Sequence, residues 1–172
     1  MPLEVIIINS SLSVTVIAPT TWPFLAVHLR FITPLPPRLG KGGFIWPVWC
    51  KVLSGFGPKR NGLHNDGINI AAPIGTPIRA VDDGEVVYRG SDLEGYGNLL
   101  LVKHTGGWVS AYAHTDAMLV RKGETVRKGQ VIAKVGTTGT VDQPQLHFEL
   151  RHDLKPTDPL AALDGRNELA IR

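Results

Sequence analysis

The chain has 172 residues, 43% of them hydrophobic and 19% charged, with a net charge of +3. These are globular proportions, which exclude a disordered chain or a coiled coil and suit one compact domain with some extra sequence. The single cysteine, Cys50, excludes an intramolecular disulfide framework and any zinc site built from several thiolates. The basic pairs Arg121-Lys122 and Arg127-Lys128 sit around turns. They read as a solvated rim rather than a nucleic-acid surface.

In chain order, residues 1–40 stand apart. No Asp, Glu, Lys or Arg occurs between Glu4 and Arg30. The stretch reads either as a signal or membrane anchor or as a non-native start. Against a spanning helix, no positive charge precedes it, and Pro19 and Pro23 interrupt it. Thr33-Pro34-Leu35-Pro36-Pro37 then reads as an extended linker. Residues 41–163 form the expected domain and 164–172 a tail.

From Phe44 onward the pattern is all-β. Short runs rich in β-branched and aromatic residues occur at Ile68–Ala72, Pro77–Ala80, Gly84–Tyr88 and Leu99–His104, then at Val109–His114, Val131–Val135 and Leu146–Arg151. Gly, Asp and Asn separate nearly every pair. In the last run Leu146, Phe148 and Leu150 share one face, and His147, Glu149 and Arg151 the other. One internal echo stands out, Val120-Arg121-Lys122-Gly123 against Val126-Arg127-Lys128-Gly129. Two successive turns explain it better than a repeat architecture. His104 reads as a hydrogen-bonded strand end and His152 as exposed. Cys50 reads as an inert thiol, and Trp46 and Trp108 as packing residues, with Trp108 placed near the groove described next.

Several segments together resemble the LytM/lysostaphin-type family of peptidoglycan zinc metalloendopeptidases. They are His64-Asn65-Asp66-Gly67-Ile68-Asn69-Ile70-Ala71-Ala72-Pro73, Gly95-Tyr96-Gly97-Asn98, Tyr112-Ala113-His114 and Leu146-His147-Phe148-Glu149. Phe44-Ile45-Trp46-Pro47 matches the family's lead-in and Asp158-Pro159-Leu160 its close, so the likeness runs from about Phe44 to Leu163. The resemblance implies a twisted antiparallel sheet or β-sandwich of the LytM, duplicated-hybrid-motif type, with a groove that meets peptidoglycan.

Active members carry HxGxD, which supplies a His and an Asp to zinc, and HxH, whose last His is the third ligand. A His in a Tyr-x-His segment and the first His of HxH assist the attacking water. Three ligands leave an open zinc position for a water whose pKa falls toward about 7. HxH on a strand holds both imidazoles on one face, about 6–7 Å apart.

This sequence departs from that set. The resemblance places Asn65 at the ligand His, Asn69 at the ligand Asp, and Gln145 at the first His of HxH, while His147 and His114 survive. An amide oxygen is a poor zinc ligand with no charge to offset the cation, and Gln145 cannot act as a base. His64 and Asp66 flank Asn65, so a shift of one residue offers alternative ligands. Strand alternation opposes that shift.

The expectation is therefore a degenerate LytM-type domain in the cell envelope, on the periplasmic side. It binds peptidoglycan, activates a cell-wall amidase during division, and uses Asn65, Asn69, His114, Gln145 and His147 as a binding groove. No metal, no other cofactor, no nucleic acid and no catalytic residue are expected, and membrane anchoring stays open. Glu149 and Arg151 are expected to order the groove. The alternative is an active zinc endopeptidase cutting peptidoglycan cross-bridges. A biotinyl or lipoyl carrier, suggested by Val126–Ile132, lacks the modified lysine in its fixed hairpin motif.

Overall fold

The structure, a computed structural model, describes residues 43–60 and 62–163. The expectations for residues 1–40, the Pro34–Pro37 linker and the 164–172 tail lie outside the described residues. The strands are, in order, β1 Val52–Ser54, β2 Gly57–Pro58, β3 His64–Asn65, β4 Ile68–Ala71, β5 Pro77–Arg79, β6 Gly84–Gly90 and β7 Leu99–Lys103. They continue with β8 Trp108–Ala113, β9 Thr115–Met118, β10 Thr125–Val126, β11 Val131–Val135, β12 Gln145–His152 and β13 Lys155–Thr157, and one short helix, α1 Pro159–Ala162, closes the domain. The eight-stranded main sheet runs β1-β4-β12-β8-β7-β6-β10 with β13 added to β12. A three-stranded sheet runs β5-β11-β9, and β2-β3 form a ribbon. The all-β expectation holds, and every strand pairing is antiparallel.

Alternation along β12 decides which face becomes the core. Leu146, Phe148 and Leu150 are fully buried, and they join Ile68 and Ile70 of β4, Tyr112 of β8, Leu100 and Val102 of β7, and Ile78 and Ile132 of the smaller sheet. Each such side chain stabilises the fold by roughly 1.5–3 kcal/mol through removal from water. Phe148 faces Tyr112 across the ladder, with ring centroids 5.4 Å apart. The residues between them turn to the opposite face. There Asn69, His147 and Ala113 lie in one cross-strand row, and Ser54 of β1 pairs with Asn69 at its end.

Buried polar groups behind this row are satisfied. His104 Nδ1 donates to Asp83 O at 2.7 Å, its Nε2 lies 2.8 Å from Ser110 Oγ, and Ser110 Oγ lies 3.0 Å from Tyr112 Oη. This is the structural role expected of His104.

The sequence echo becomes two copies of one turn. Glu124 N–H donates to Arg121 O and Gln130 N–H to Arg127 O. Glu124 Oε2 accepts the Arg121 N–H and Gln130 Oε1 the Arg127 N–H. Gly123 and Gly129 occupy the third position at φ +84° and +81°, which side chains seldom tolerate.

Candidate functional site

The site grows from a turn that only glycine fits. A Cβ on Gly67 would lie 2.2 Å from Phe148 O and 2.9 Å from Glu149 Cγ, so residues 65–69 run directly against β12. The Gly67 N–H donates to Asn65 Oδ1 at 3.1 Å. Because a backbone N–H only donates, this bond fixes which end of the Asn65 amide is oxygen. Asn65 Nδ2 then donates to Ser54 Oγ at 3.1 Å and to Asn69 Oδ1 at 2.9 Å. Asn69 Nδ2 in turn donates to Gln145 Oε1 at 3.0 Å. One backbone hydrogen thus orients three side-chain amides in series.

His147 joins this relay on one side and a buried carboxylate on the other. Its Nδ1 lies 3.2 Å from Asn69 Oδ1 and its Nε2 lies 3.0 Å from Glu149 Oε1. Glu149 is 2% exposed. It also accepts from Tyr96 Oη at 3.1 Å and from Arg151 Nε at 2.7 Å. Burial alone would raise its carboxyl, but the bonds from His147 and Arg151 outweigh that and hold it down to about 2. Arg151 reaches on to Asp66 at 3.2 Å, and Asp66 meets His64 at 2.9 Å. Glu149 and Arg151 thus hold the ring and the strand face, the arrangement expected of them.

His114 approaches from the end of β8 with φ +62°, a left-handed conformation uncommon outside glycine. Its N–H donates to Tyr96 O at 2.9 Å and its Nδ1 to Thr138 O at 2.8 Å, and its ring centroid lies 6.1 Å from that of His147. Burial pulls its pKa below the usual histidine range, partly offset by the Thr138 carbonyl. The loops carrying Tyr96 and Thr138 are themselves joined, through Thr138 Oγ1 accepting from Asn98 N at 3.0 Å.

The structure therefore brings Asn65, Asn69, His114, Gln145 and His147 together. It separates the suggested substitute ligands from them. His64 and Asp66 bond each other on the outer side, with side chains 51% and 39% exposed, and His64 packs on Phe56. The alternation of β3 turns Asn65 inward and His64 outward, which corrects the shifted-ligand reading. Trp108 is a second correction to position. It packs on Phe44 and His152 at the opposite end of β8 from Ala113, away from the site. Cys50 is half-buried, and burial pushes its thiol pKa up, as expected of an unreactive thiol. Sequence reasoning missed Tyr96 and Thr138 as site residues. An aromatic between two glycines, Gly95 and Gly97, was the available signal for the first.

These residues do not fit a catalytic zinc. Such a centre needs three good ligands and an open position. The resemblance puts two of the three ligands at Asn65 and Asn69, neutral amides that bond each other, and both nitrogens of His147 face acceptor oxygens. Among the described residues no group of three or more His, Cys, Asp or Glu could hold a metal, and no helix is long and apolar enough to cross a membrane.

Comparison with known proteins agrees with this fold. The model for peptidase family M23 matches residues 63–159, more than half of the chain. The cell division protein DipM of Caulobacter vibrioides is 46% identical over 130 residues, covering 72% of this chain and 21% of that protein. The murein hydrolase activator NlpD of Escherichia coli is 41% identical over 158 residues, covering 92% of this chain and 41% of that protein. The chain thus spans well under half the length of either relative. Among solved structures, the catalytic domain of lysostaphin from Staphylococcus simulans superposes with a TM-score of 0.60 at 30% identity, covering 65% of this chain and 90% of that one.

Proposed function

The chain belongs to peptidase family M23, and from that premise we propose that it is a catalytically silent member that activates a cell-wall amidase during division. On this reading it works in the cell envelope, on the periplasmic side, against peptidoglycan. The observation that carries the reading is the amide relay. Asn65, Asn69 and Gln145 fill the positions of two metal ligands and a general base with groups that neither ligate well nor titrate. What remains is an ordered polar surface with its charges paired, suited to binding and not to water activation. The names of two relatives, a murein hydrolase activator and a cell division protein, support the same reading.

The test is amidase turnover on purified peptidoglycan, with and without this chain. Acceleration that survives zinc chelation is expected. An amidase rate unchanged across the full range of chain concentrations, for every envelope amidase of the source cell, overturns the reading.

A further inference from the structure

No Asp or Glu occurs between Gly43 and Asn65, whereas Lys51, Lys59 and Arg60 do. The fold turns this stretch into one border of the domain. β1 is the terminal strand of the main sheet, and Gly55-Phe56 leads from it directly into the β2-β3 ribbon. Asn65 Nδ2, bonded to Ser54 Oγ at 3.1 Å, holds the base of the ribbon beside the end of β1.

Alternation from Trp49 to Leu53 sorts the side chains of that border. Cys50 and Val52 pack against the core, while Trp49, Lys51 and Leu53 are exposed, the two apolar ones by 42% and 38%. A lysine on its own is a common guard of an edge strand against stray pairing. Large apolar side chains on both sides of it are not part of such a guard. Trp49 is also backed by the buried Trp46, their ring centroids 5.6 Å apart. The ribbon repeats the composition, with Arg60 exposed and Leu63 67% exposed. Lys59 Nζ donates to Gly55 O at 2.6 Å. Among the described residues none of the three cations lies in an ion pair.

Cations without carboxylates, interleaved with exposed Trp and Leu, complement an anionic lipid surface. Ammonium and guanidinium groups meet the phosphates, and the indole and leucines settle at headgroup depth. We propose that Trp49, Lys51, Leu53, Lys59, Arg60 and Leu63 form a docking edge for an anionic phospholipid bilayer. This goes beyond the regulatory reading and shares with it only the envelope location.

The other basic turns of the domain lack this pattern. Lys128 pairs with Asp82 at 3.2 Å, and Asp83 Oδ1 accepts its backbone N–H. Glu124 Oε2 accepts the backbone N–H of Arg121. Each of those turns thus holds a carboxylate beside its cations, which weakens its field toward an anionic surface. Along the β1 and ribbon border, cationic and apolar groups alternate with no acid between them. That arrangement suits a broad surface of headgroups better than one short acidic segment of a protein. So few groups hold a membrane only weakly and reversibly.

The experiment sediments the full chain with phosphatidylcholine vesicles, with and without phosphatidylglycerol, at low and high salt. The uncharged residues before Arg30 are common to every variant, and partition through them would ignore lipid charge and salt. Binding is expected to require phosphatidylglycerol and to fall steeply with salt, which screens exposed charges. Lys59→Glu with Arg60→Glu should weaken it about tenfold or more. Arg121→Glu with Lys122→Glu makes the same change in net charge and should weaken it less than about twofold. Leu53→Ser with Leu63→Ser should cost at least about threefold by loss of apolar contact. Thermal unfolding checks that each variant keeps the fold. Equal binding with and without phosphatidylglycerol, equal losses in the two charge-reversed variants, or no vesicle binding overturns the docking edge. So does an edge that binds a glutamate-rich peptide and ignores vesicles. Vesicle binding as described, in a chain that activates no amidase, upholds the edge and removes only the regulatory reading. Amidase activation by a chain that binds no vesicle does the reverse.

Discussion

Asn69 makes three hydrogen bonds with one side chain, to Asn65, Gln145 and His147, and so links β3, β4 and β12 where a ligated metal would otherwise do so. On the proposed reading the site's order owes nothing to zinc. Added zinc or a chelator should move the thermal midpoint of the chain by less than about 1 °C, because a group that does not bind the native state cannot stabilise it. A zinc-dependent rise of several degrees would contradict this. Removing the hub by Asn69→Ala leaves three partners short of a bond and should cost about 1–3 kcal/mol in denaturant unfolding. The reverse experiment rebuilds the metal centre. The triple change Asn65→His, Asn69→Asp and Gln145→His should create measurable zinc affinity on the same scaffold. Failure to bind would contradict the placement of these three positions.

Ionisation adds a prediction at the same scale. His104 and His114 are both held below the usual histidine range by burial, so the unfolded chain takes up their protons first. Stability should therefore fall as pH drops below about 6.5. Glu149 acts lower down. Its folded pKa of about 2 lies below the ordinary 4.5, so it stabilises the fold above about 4.5, and that contribution is lost as pH falls toward 2. Thermal midpoints measured from pH 7.5 to 2.5 should decline in these two stages, and Glu149→Gln should remove the lower one. A lower stage of unchanged depth in that variant would contradict the role given to Glu149.

At the scale of elements, β12 carries both the core and the site on its two faces. Phe148→Ala should cost about 3–5 kcal/mol, as truncation of a fully buried aromatic does. Gly67→Ala forces Cβ into the Phe148 carbonyl and should be among the most destabilising small changes in the domain, both measured by urea unfolding. These elements also mark what the sequence made legible. Strands β4 to β8, β11 and β12 declare themselves by alternation, β-branched content and flanking turn residues. The two-residue strands β2, β3 and β10 do not, because pairing with a distant partner defines them and no local period does. The inward side chains Asn65, Asn69, Gln145 and His147 follow from the strand alternation that orders β3, β4 and β12. Tyr96 and Thr138 reach the site on loops joined to each other by tertiary hydrogen bonds, which no local pattern encodes.

At the largest scale, among the described residues, the main sheet and the smaller sheet enclose a core running from Phe44 to Leu163, with a second, smaller buried cluster at Leu99, Ala111 and Ala113. The domain of residues 41–163 is accordingly proposed to fold alone. Limited proteolysis of the full chain should leave a stable fragment starting between residues 38 and 43, whereas early cuts within β4 to β12 would contradict the boundary. Within that domain the M23 scaffold holds a site whose polar side chains bond one another, and the proposed catalytic silence rests on that arrangement. The most direct measurement is mass spectrometry of the peptides released when the purified chain, saturated with zinc, is incubated alone with intact peptidoglycan. No released peptide above the protein-free control is predicted. Release of cross-bridge or stem peptides that disappears in His147→Ala would contradict the account.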